Sequence, residues 1–174
     1  MRYAQIRSMD ISNGKGIGIA LFTQGCPFHC FNCFNQGTWD FEGGKEWTEE
    51  TQKDFLKLAE RSYIDRVSFL GGEPLAEQNI KELLILVEIL KDKFPNKKIW
   101  LYSGFTFEKI FNSTEETFLI RQQILSYVDV LVDGQYIDEL KDYSLRFRGS
   151  SNQRIIDVQK TLNNEDKSIV LYLK

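Results

Sequence analysis

Short apolar runs alternate with helical patterns along this chain, and this alternation constrains the fold more than any other feature. Six runs have the length and composition of strands: residues 18–23, 66–70, 98–103, 129–132, 154–158 and 169–173. Several are apolar at consecutive positions, which is typical of a sheet that helices cover on at least one face. Strands that alternate with helices predict an α/β fold with a mostly parallel sheet.

Three helices are predicted between these strands. One follows Thr48, and one covers residues 80–90, where apolar side chains recur at helical spacing. The third begins at the capping-box pattern of residues 113–116 and runs to about Tyr127. Ligands of parallel sheets bind beyond the carboxyl ends of the strands. Polar or glycine-containing segments follow four of the predicted strands there: residues 23–25, 71–73, 103–104 and 133–135.

Length and composition limit the class of protein. A chain of 174 residues suits one domain, which we expect to span residues 1–174. A net charge of -3 argues against a nucleic-acid-binding protein, which usually has a basic excess. The first ten residues have no apolar signal region and no run of about 18 apolar residues occurs, so we expect a cytoplasmic protein without a membrane partner.

All three cysteines of the chain lie within eight residues, directly after the first predicted strand. Cys26, Cys30 and Cys33 form the pattern C-x-x-x-C-x-x-C. Thiols stay reduced in the cytoplasm, where disulfides are rare. An odd and clustered number of cysteines therefore predicts a set of metal ligands rather than a disulfide framework.

The number of thiols bears on which metal they bind. A structural zinc site needs four ligands, and His29, the only histidine, directly precedes Cys30 and would have to fold back onto the same ion. A cuboidal 4Fe–4S cluster fits better, because three irons take thiolates and the fourth has no protein ligand. A zinc-binding module, or a group of buried thiols without a metal, remains the alternative.

A second motif, Gly71-Gly72-Glu73-Pro74, directly follows the second predicted strand. Glycines allow a ligand to approach the backbone closely. Together with the cysteine pattern, this segment resembles the radical S-adenosylmethionine superfamily. The resemblance implies that S-adenosylmethionine chelates the open iron and that its methionine end meets the Gly-Gly-Glu segment, where Glu73 or a neighbouring carbonyl accepts from the ammonium group.

The same resemblance implies further cofactor contacts beside the third cysteine, at Asn32, Cys33 and Phe34. Many members of the superfamily have an aromatic residue directly before that cysteine, whereas this chain has Asn32. Ser103 and Asp133 end the third and fourth predicted strands and are further candidates for contacts with the cofactor.

Several segments spread along the chain also resemble one narrower family, the activating enzymes of the anaerobic (class III) ribonucleoside-triphosphate reductases. The matching segments are residues 10–14, 38–39, 99–104, 130–134 and 148–154. The resemblance implies an incomplete, open (β/α) barrel. It also implies an enzyme whose protein substrate is the reductase, on which it generates a glycyl radical. A low-potential electron donor such as flavodoxin would suit the cluster.

Other interpretations remain open. The chain resembles radical enzymes as a class, so its target is either the reductase, another glycyl-radical enzyme or a small molecule. Residues 13–18 look like a phosphate-binding loop but lack the Ser or Thr of a Walker motif, so a flexible turn is expected. Arg146, Arg148 and Arg154 form either a solvated basic loop or a pocket edge that contacts the cofactor or the partner's glycyl loop.

Overall fold

The computed structural model describes residues 1–166 and 168–173. This part of the chain contains eight strands: β1 (Arg2–Asp10), β2 (Gly18–Thr23), β3 (Lys45–Glu46), β4 (Arg66–Gly71), β5 (Lys98–Ser103), β6 (Val130–Asp133), β7 (Arg154–Asp157) and β8 (Leu171–Leu173). They form one sheet in the order β3-β1-β2-β4-β5-β6-β7-β8.

The centre of the sheet is parallel and its margins are antiparallel. Strands β2, β4, β5 and β6 are parallel neighbours. Antiparallel β1 and β3 extend the sheet beyond β2, and antiparallel β7 and β8 extend it beyond β6. Because β3 and β8 pair with only one strand each, the sheet does not close. The predicted α/β fold with an incomplete, open barrel is confirmed.

Helices cover one face of this sheet. They are α1 (Glu49–Glu60), α2 (Glu77–Lys93), α3 (Phe107–Phe111), α4 (Glu116–Tyr127) and α5 (Val158–Leu162), with short 3-10 helices at Gln36–Thr38 and Asp138–Leu140. Alternate strand residues such as Leu21, Phe69 and Leu101 pack with helix residues such as Leu83 and Leu125 in the main core. The intervening strand residues point to the opposite, concave face.

The predicted elements differ from the observed ones mainly at their ends. All six predicted strands are present, although the last is limited to Leu171–Leu173. The capping-box prediction is wrong, because the N-cap of α4 is Glu115 and has no side-chain cap. The Ser113 hydroxyl instead accepts from the Glu115 N–H (3.3 Å) in a turn before the helix. The predicted end at Tyr127 is confirmed.

Strand β1 had no counterpart among the predicted elements. Its sequence is largely polar and none of its residues before Asp10 is buried, so hydrophobic periodicity gives no signal. Pairing with the wholly buried strand β2 organises it. No helix within residues 1–166 and 168–173 combines the length and apolarity that crossing a membrane requires.

A buried ion pair fills the amino end of the concave face. Arg66 is fully buried, and its guanidinium donates to the Asp10 carboxylate (2.7 Å) and to the Ser68 hydroxyl (2.5 Å). The Ser68 hydroxyl donates in turn to the Asn13 carbonyl (2.7 Å). The turn at residues 13–18 packs closely on this network, since a Cβ on Gly14 would lie 2.8 Å from the Arg66 side chain. The concave face is therefore filled at this end.

Candidate active site

A cavity of about 480 Å³ lies on the concave face at the carboxyl ends of the parallel strands. All three cysteines line it, together with the Gly-Gly-Glu segment at the end of β4 and with Ser103 at the end of β5. The sheet thus brings the two sequence motifs to one site, although Cys33 and Glu73 are 40 positions apart in the chain.

The cysteine loop (residues 25–35) is held to the protein by its backbone. The Gly25 N–H donates to the Thr38 carbonyl (2.8 Å), and the Cys26 N–H donates to the Trp39 carbonyl (3.0 Å). The Phe28 ring of this loop packs edge-on against Phe105, with 4.9 Å between the ring centroids. These contacts fix the start of the loop against two different segments of the fold.

The thiols are free and half-buried. Burial raises the pKa of Cys26 to about 11, and burial together with the neighbouring Cys33 raises the pKa of Cys30. These two thiols are therefore protonated at neutral pH, and iron that binds them must displace their protons. The site holds soft sulfur donors, which suit iron–sulfur clusters.

The placement of these donors also bears on the kind of metal group that they bind. Among the residues that the structure describes, no three His, Cys, Asp or Glu side chains are close enough to hold one metal ion. In a cuboidal cluster each thiolate binds a different iron, so the sulfur atoms need not converge on a single point. The three thiols around one cavity therefore fit the 4Fe–4S group predicted from the sequence.

The glycines of the second motif allow two backbone segments to meet. A Cβ on Gly72 would lie 2.4 Å from the Gly25 carbonyl oxygen, a distance that no side chain tolerates. The N–H of Glu73 donates to the same carbonyl (2.8 Å). The Gly-Gly-Glu segment thus supports the cysteine loop, a role that sequence analysis missed because the two segments are distant in the chain.

The Glu73 carboxylate is buried and accepts three hydrogen bonds from the protein. The donors are the Leu75 N–H (2.8 Å), the Ser103 hydroxyl (2.9 Å) and the Gly104 N–H (2.8 Å). Burial outweighs these neutral donors and raises the pKa of Glu73 to about 7. Glu73 therefore ties the end of β4 to the end of β5, beside the cavity that it lines.

Comparison with known proteins identifies the family. A family model described as a 4Fe-4S single cluster domain matches residues 12–156. Proteins named anaerobic ribonucleoside-triphosphate reductase-activating protein are similar over nearly their whole length. The Vibrio cholerae protein is 37% identical over 157 residues, which cover 89% of this chain and 97% of that protein. The chain belongs to this family of activating proteins.

Two further relatives with the same name are similarly close. The Enterobacteria phage T4 protein is 38% identical over 155 residues, covering 89% of this chain and 93% of the relative. The Escherichia coli protein is 35% identical over 155 residues, covering 88% and 96%. Membership of the activating-protein family confirms the predicted 4Fe–4S cluster with S-adenosylmethionine and the prediction of a radical-generating enzyme.

Two of the predicted cofactor contacts lie away from the cavity that the cysteines line. The Asp133 carboxylate accepts from the Phe107 N–H (2.8 Å) and from Arg154, and it lines a neighbouring cavity. The Asn32 amide points to Asp138, to which it donates (2.9 Å). Phe34 and Ser103 do line the cavity around the cysteines.

The loop that follows β6 supplies the lining residues that sequence analysis missed. Gln135, Tyr136 and Tyr143 line the cavity on this side, and Tyr136 packs against Phe34 with 5.2 Å between the ring centroids. The polar segment at the end of β6 was the only sequence signal for them. Arg148 also lines the cavity, where its guanidinium donates to the Gln153 carbonyl (2.8 Å).

Proposed function

We propose that this chain generates a glycyl radical on an anaerobic ribonucleoside-triphosphate reductase. The observation that carries the proposal is the placement of three thiols from one short loop around a single cavity. The activating proteins that match the chain over nearly its whole length, and the name that they share, support the choice of substrate.

In this proposal Cys26, Cys30 and Cys33 each bind one iron of the cluster, which leaves the fourth iron without a protein ligand. When bound, the cluster supplies the electron for reductive cleavage of S-adenosylmethionine to methionine and a 5′-deoxyadenosyl radical. Cys26 and Cys30 release their protons on binding iron, and the backbone bonds of the loop to Thr38 and Trp39 keep the sulfur atoms at the cavity.

The remaining predicted residues bind and orient S-adenosylmethionine. Gly71, Gly72 and Ser103 line the cavity and present backbone or hydroxyl groups, while Phe34 offers a ring at its rim. The Glu73 carboxylate, beside them, has lone pairs left for an ammonium group because its two oxygens accept three bonds. Asn32 acts on the cysteine loop, which its bond to Asp138 holds, and the contact of Asp133 with the cofactor stays a prediction.

An open barrel suits a protein substrate. The edge strands β3 and β8 do not meet, so one side of the concave face is accessible to a segment of another protein. A glycine has no side chain, so its Cα–H approaches a bound cofactor closely. We therefore assign the accessible side of the cavity to the glycyl segment of the reductase, with Arg148 at its wall.

The proposal extends to the environment of the enzyme. A low-potential donor such as flavodoxin reduces the cluster, and the protein works in the cytoplasm, where thiols stay reduced. Neither nucleic acid nor a membrane is a partner, which agrees with the net charge of -3.

The decisive experiment mixes the anaerobically reconstituted and reduced protein with S-adenosylmethionine and the reductase. We expect a glycyl-radical doublet in the electron paramagnetic resonance spectrum. A reductase whose radical glycine is replaced by alanine is the matched control and should give no doublet. Cleavage of S-adenosylmethionine without a radical on the reductase would count against the named substrate. Tightly bound zinc with no iron would contradict the cluster itself.

A further inference from the structure

Each of the three cysteines directly follows a residue with a left-handed backbone. Gly25 has φ +90°, His29 has φ +47° and Asn32 has φ +53°. Non-glycine residues rarely adopt positive φ. In the described part of the chain only three of them do, and two lie in this loop. The same left-handed conformation therefore recurs directly before every cysteine of the loop.

A different contact stabilises each of these residues. A Cβ on Gly25 would lie 2.1 Å from the Phe41 ring, so only glycine fits there. The His29 ring stacks on Trp39, with 4.7 Å between the centroids and 21° between the planes. Asn32 is of the residue type that tolerates this conformation best after glycine, and its side chain is bonded to Asp138.

Asp138 is itself held in place. One carboxylate oxygen accepts from the Asn32 amide (2.9 Å), and the other accepts from the Tyr136 hydroxyl (2.6 Å). Both Tyr136 and Asp138 belong to the loop after β6, which forms the opposite wall of the cavity. The bond therefore joins the cysteine loop to that wall at the residue before Cys33.

We infer that Asn32 is a positioning residue for Cys33, because its left-handed backbone, held by Asp138, aims the third thiol into the cavity. The inference rests on the proposed ligation of the cluster by the three cysteines. It accounts for an exposed polar residue directly before a cluster ligand. The Asn32 side chain acts on the protein rather than on the cofactor.

The test compares Asn32→Val with Asn32→Gly in the reconstituted protein. Both variants lose the bond to Asp138, but only valine resists positive φ. We expect Asn32→Val to release iron to a chelator at least about tenfold faster than the wild type, and Asn32→Gly to stay within about threefold. Asn112→Val makes the same change at an exposed site with φ -89° and should leave iron release unchanged.

A second comparison tests the anchor. Asp138→Ala removes the acceptor for the Asn32 amide, whereas Asp138→Asn keeps an oxygen that accepts it. We expect Asp138→Ala to shift the midpoint potential of the cluster and to speed iron release a few-fold, and Asp138→Asn to restore both. Asp54→Ala, on the exposed face of α1, is the control and should shift neither.

Unchanged iron release and potential in Asn32→Val would overturn the inference, as would equal damage in Asn32→Gly. If Asn32→Val does not fold, the comparison of Asp138→Ala with Asp138→Asn tests the inference. An Asp138→Ala protein with the wild-type midpoint potential and iron release would show that Asp138 does not position Asn32. These outcomes are distinct from failure of the proposed function, in which the wild-type protein itself would bind no iron–sulfur cluster.

Discussion

The two ends of the concave face contain polar groups of opposite character. At the amino end, the Arg66 guanidinium is buried and donates to the buried Asp10 carboxylate and Ser68 hydroxyl. At the carboxyl end, the thiols of the cysteine loop are half-buried and line an open cavity. The comparison teaches that polar groups bonded within the protein stabilise the fold, whereas those facing the cavity form the site.

Two buried carboxyl groups, Asp10 at the amino end and Glu73 at the carboxyl end, differ in the direction of their pKa shifts. Burial acts to raise the pKa of Asp10, but hydrogen bonds from Arg66 and Asn13 outweigh it and hold that pKa below its usual range. Glu73 has only neutral donors in contact, so burial dominates and its pKa rises to about 7. A bonded cation thus decides the direction of the shift.

The largest effect is expected from Cys30→Ala. The two thiols that remain can bind only two of the four irons, so we expect loss of the cluster and of S-adenosylmethionine cleavage. Iron content per chain, the visible absorbance and methionine release measure this. Phe31→Ala, an exposed change next to Cys30, is the control and should keep its iron. Normal cleavage by Cys30→Ala would refute cysteine ligation.

At the opposite end, Asp10→Ala should destabilise the fold without removing a ligand. It leaves the fully buried Arg66 without its counter-charge, which costs about 3–5 kcal/mol in the free energy of unfolding. Anaerobic urea unfolding measures this cost. Asp54→Ala breaks an exposed ion pair and should change stability by less than about 1 kcal/mol. Equal effects of the two changes would show that burial of the pair is unimportant.

The pKa of Glu73 sharpens the comparison between the two acids. Because its folded-state pKa (about 7) exceeds the ordinary glutamate value of 4.5, the folded protein binds the proton more tightly than the unfolded chain. The contribution of protonated Glu73 to the free energy of unfolding is complete below the unfolded-state pKa. It is lost as pH rises through the folded-state pKa of about 7, which lowers the free energy of unfolding by about 3 kcal/mol.

Glu73→Gln should remove this pH dependence, because glutamine does not ionise. We expect the stability difference between wild type and Glu73→Gln to change between pH values of about 5 and 8, with wild type relatively more stable at the lower pH. Urea unfolding at both pH values measures it, with the exposed Glu139→Gln as control. A difference that is constant with pH would contradict the raised pKa. The pH dependence of the Asp10 contribution to stability is opposite: it is lost only as pH falls through the lowered pKa of Asp10.

The smallest effect is expected from Tyr102→Phe, between the two ends of the concave face. The Tyr102 hydroxyl is buried and has no hydrogen-bond partner among the described residues. Removing it leaves no group unpaired and relieves the cost of burying a hydroxyl without a partner, so the free energy of unfolding should rise by up to about 1 kcal/mol. Iron content should stay at the wild-type level. A loss above about 1 kcal/mol would show that the hydroxyl is bonded in solution.

Sequence analysis identified which segments form the site, but it missed contacts between those segments. The cysteine loop and the Gly-Gly-Glu segment were predicted as parts of one site, and both line the cavity. The direct contact of Gly72 with Gly25 was missed, because nothing in the local sequence shows which backbone lies beside a glycine. The prediction that Asp133 contacts the cofactor stays a prediction. In the structure the Asp133 carboxylate is bonded to Arg154.

The sequence by itself determined the chemistry of the site. Three cysteines within eight residues lie near one another in any compact loop, and apolar periodicity places that loop after a buried strand. Only the tertiary structure decided how the thiols are aimed. The bond between Asn32 and Asp138 joins residues 106 positions apart, and the sheet brings them together because β2 and β6 end at the same edge. Spacing along the chain specifies which ligands are neighbours, whereas packing specifies their orientation.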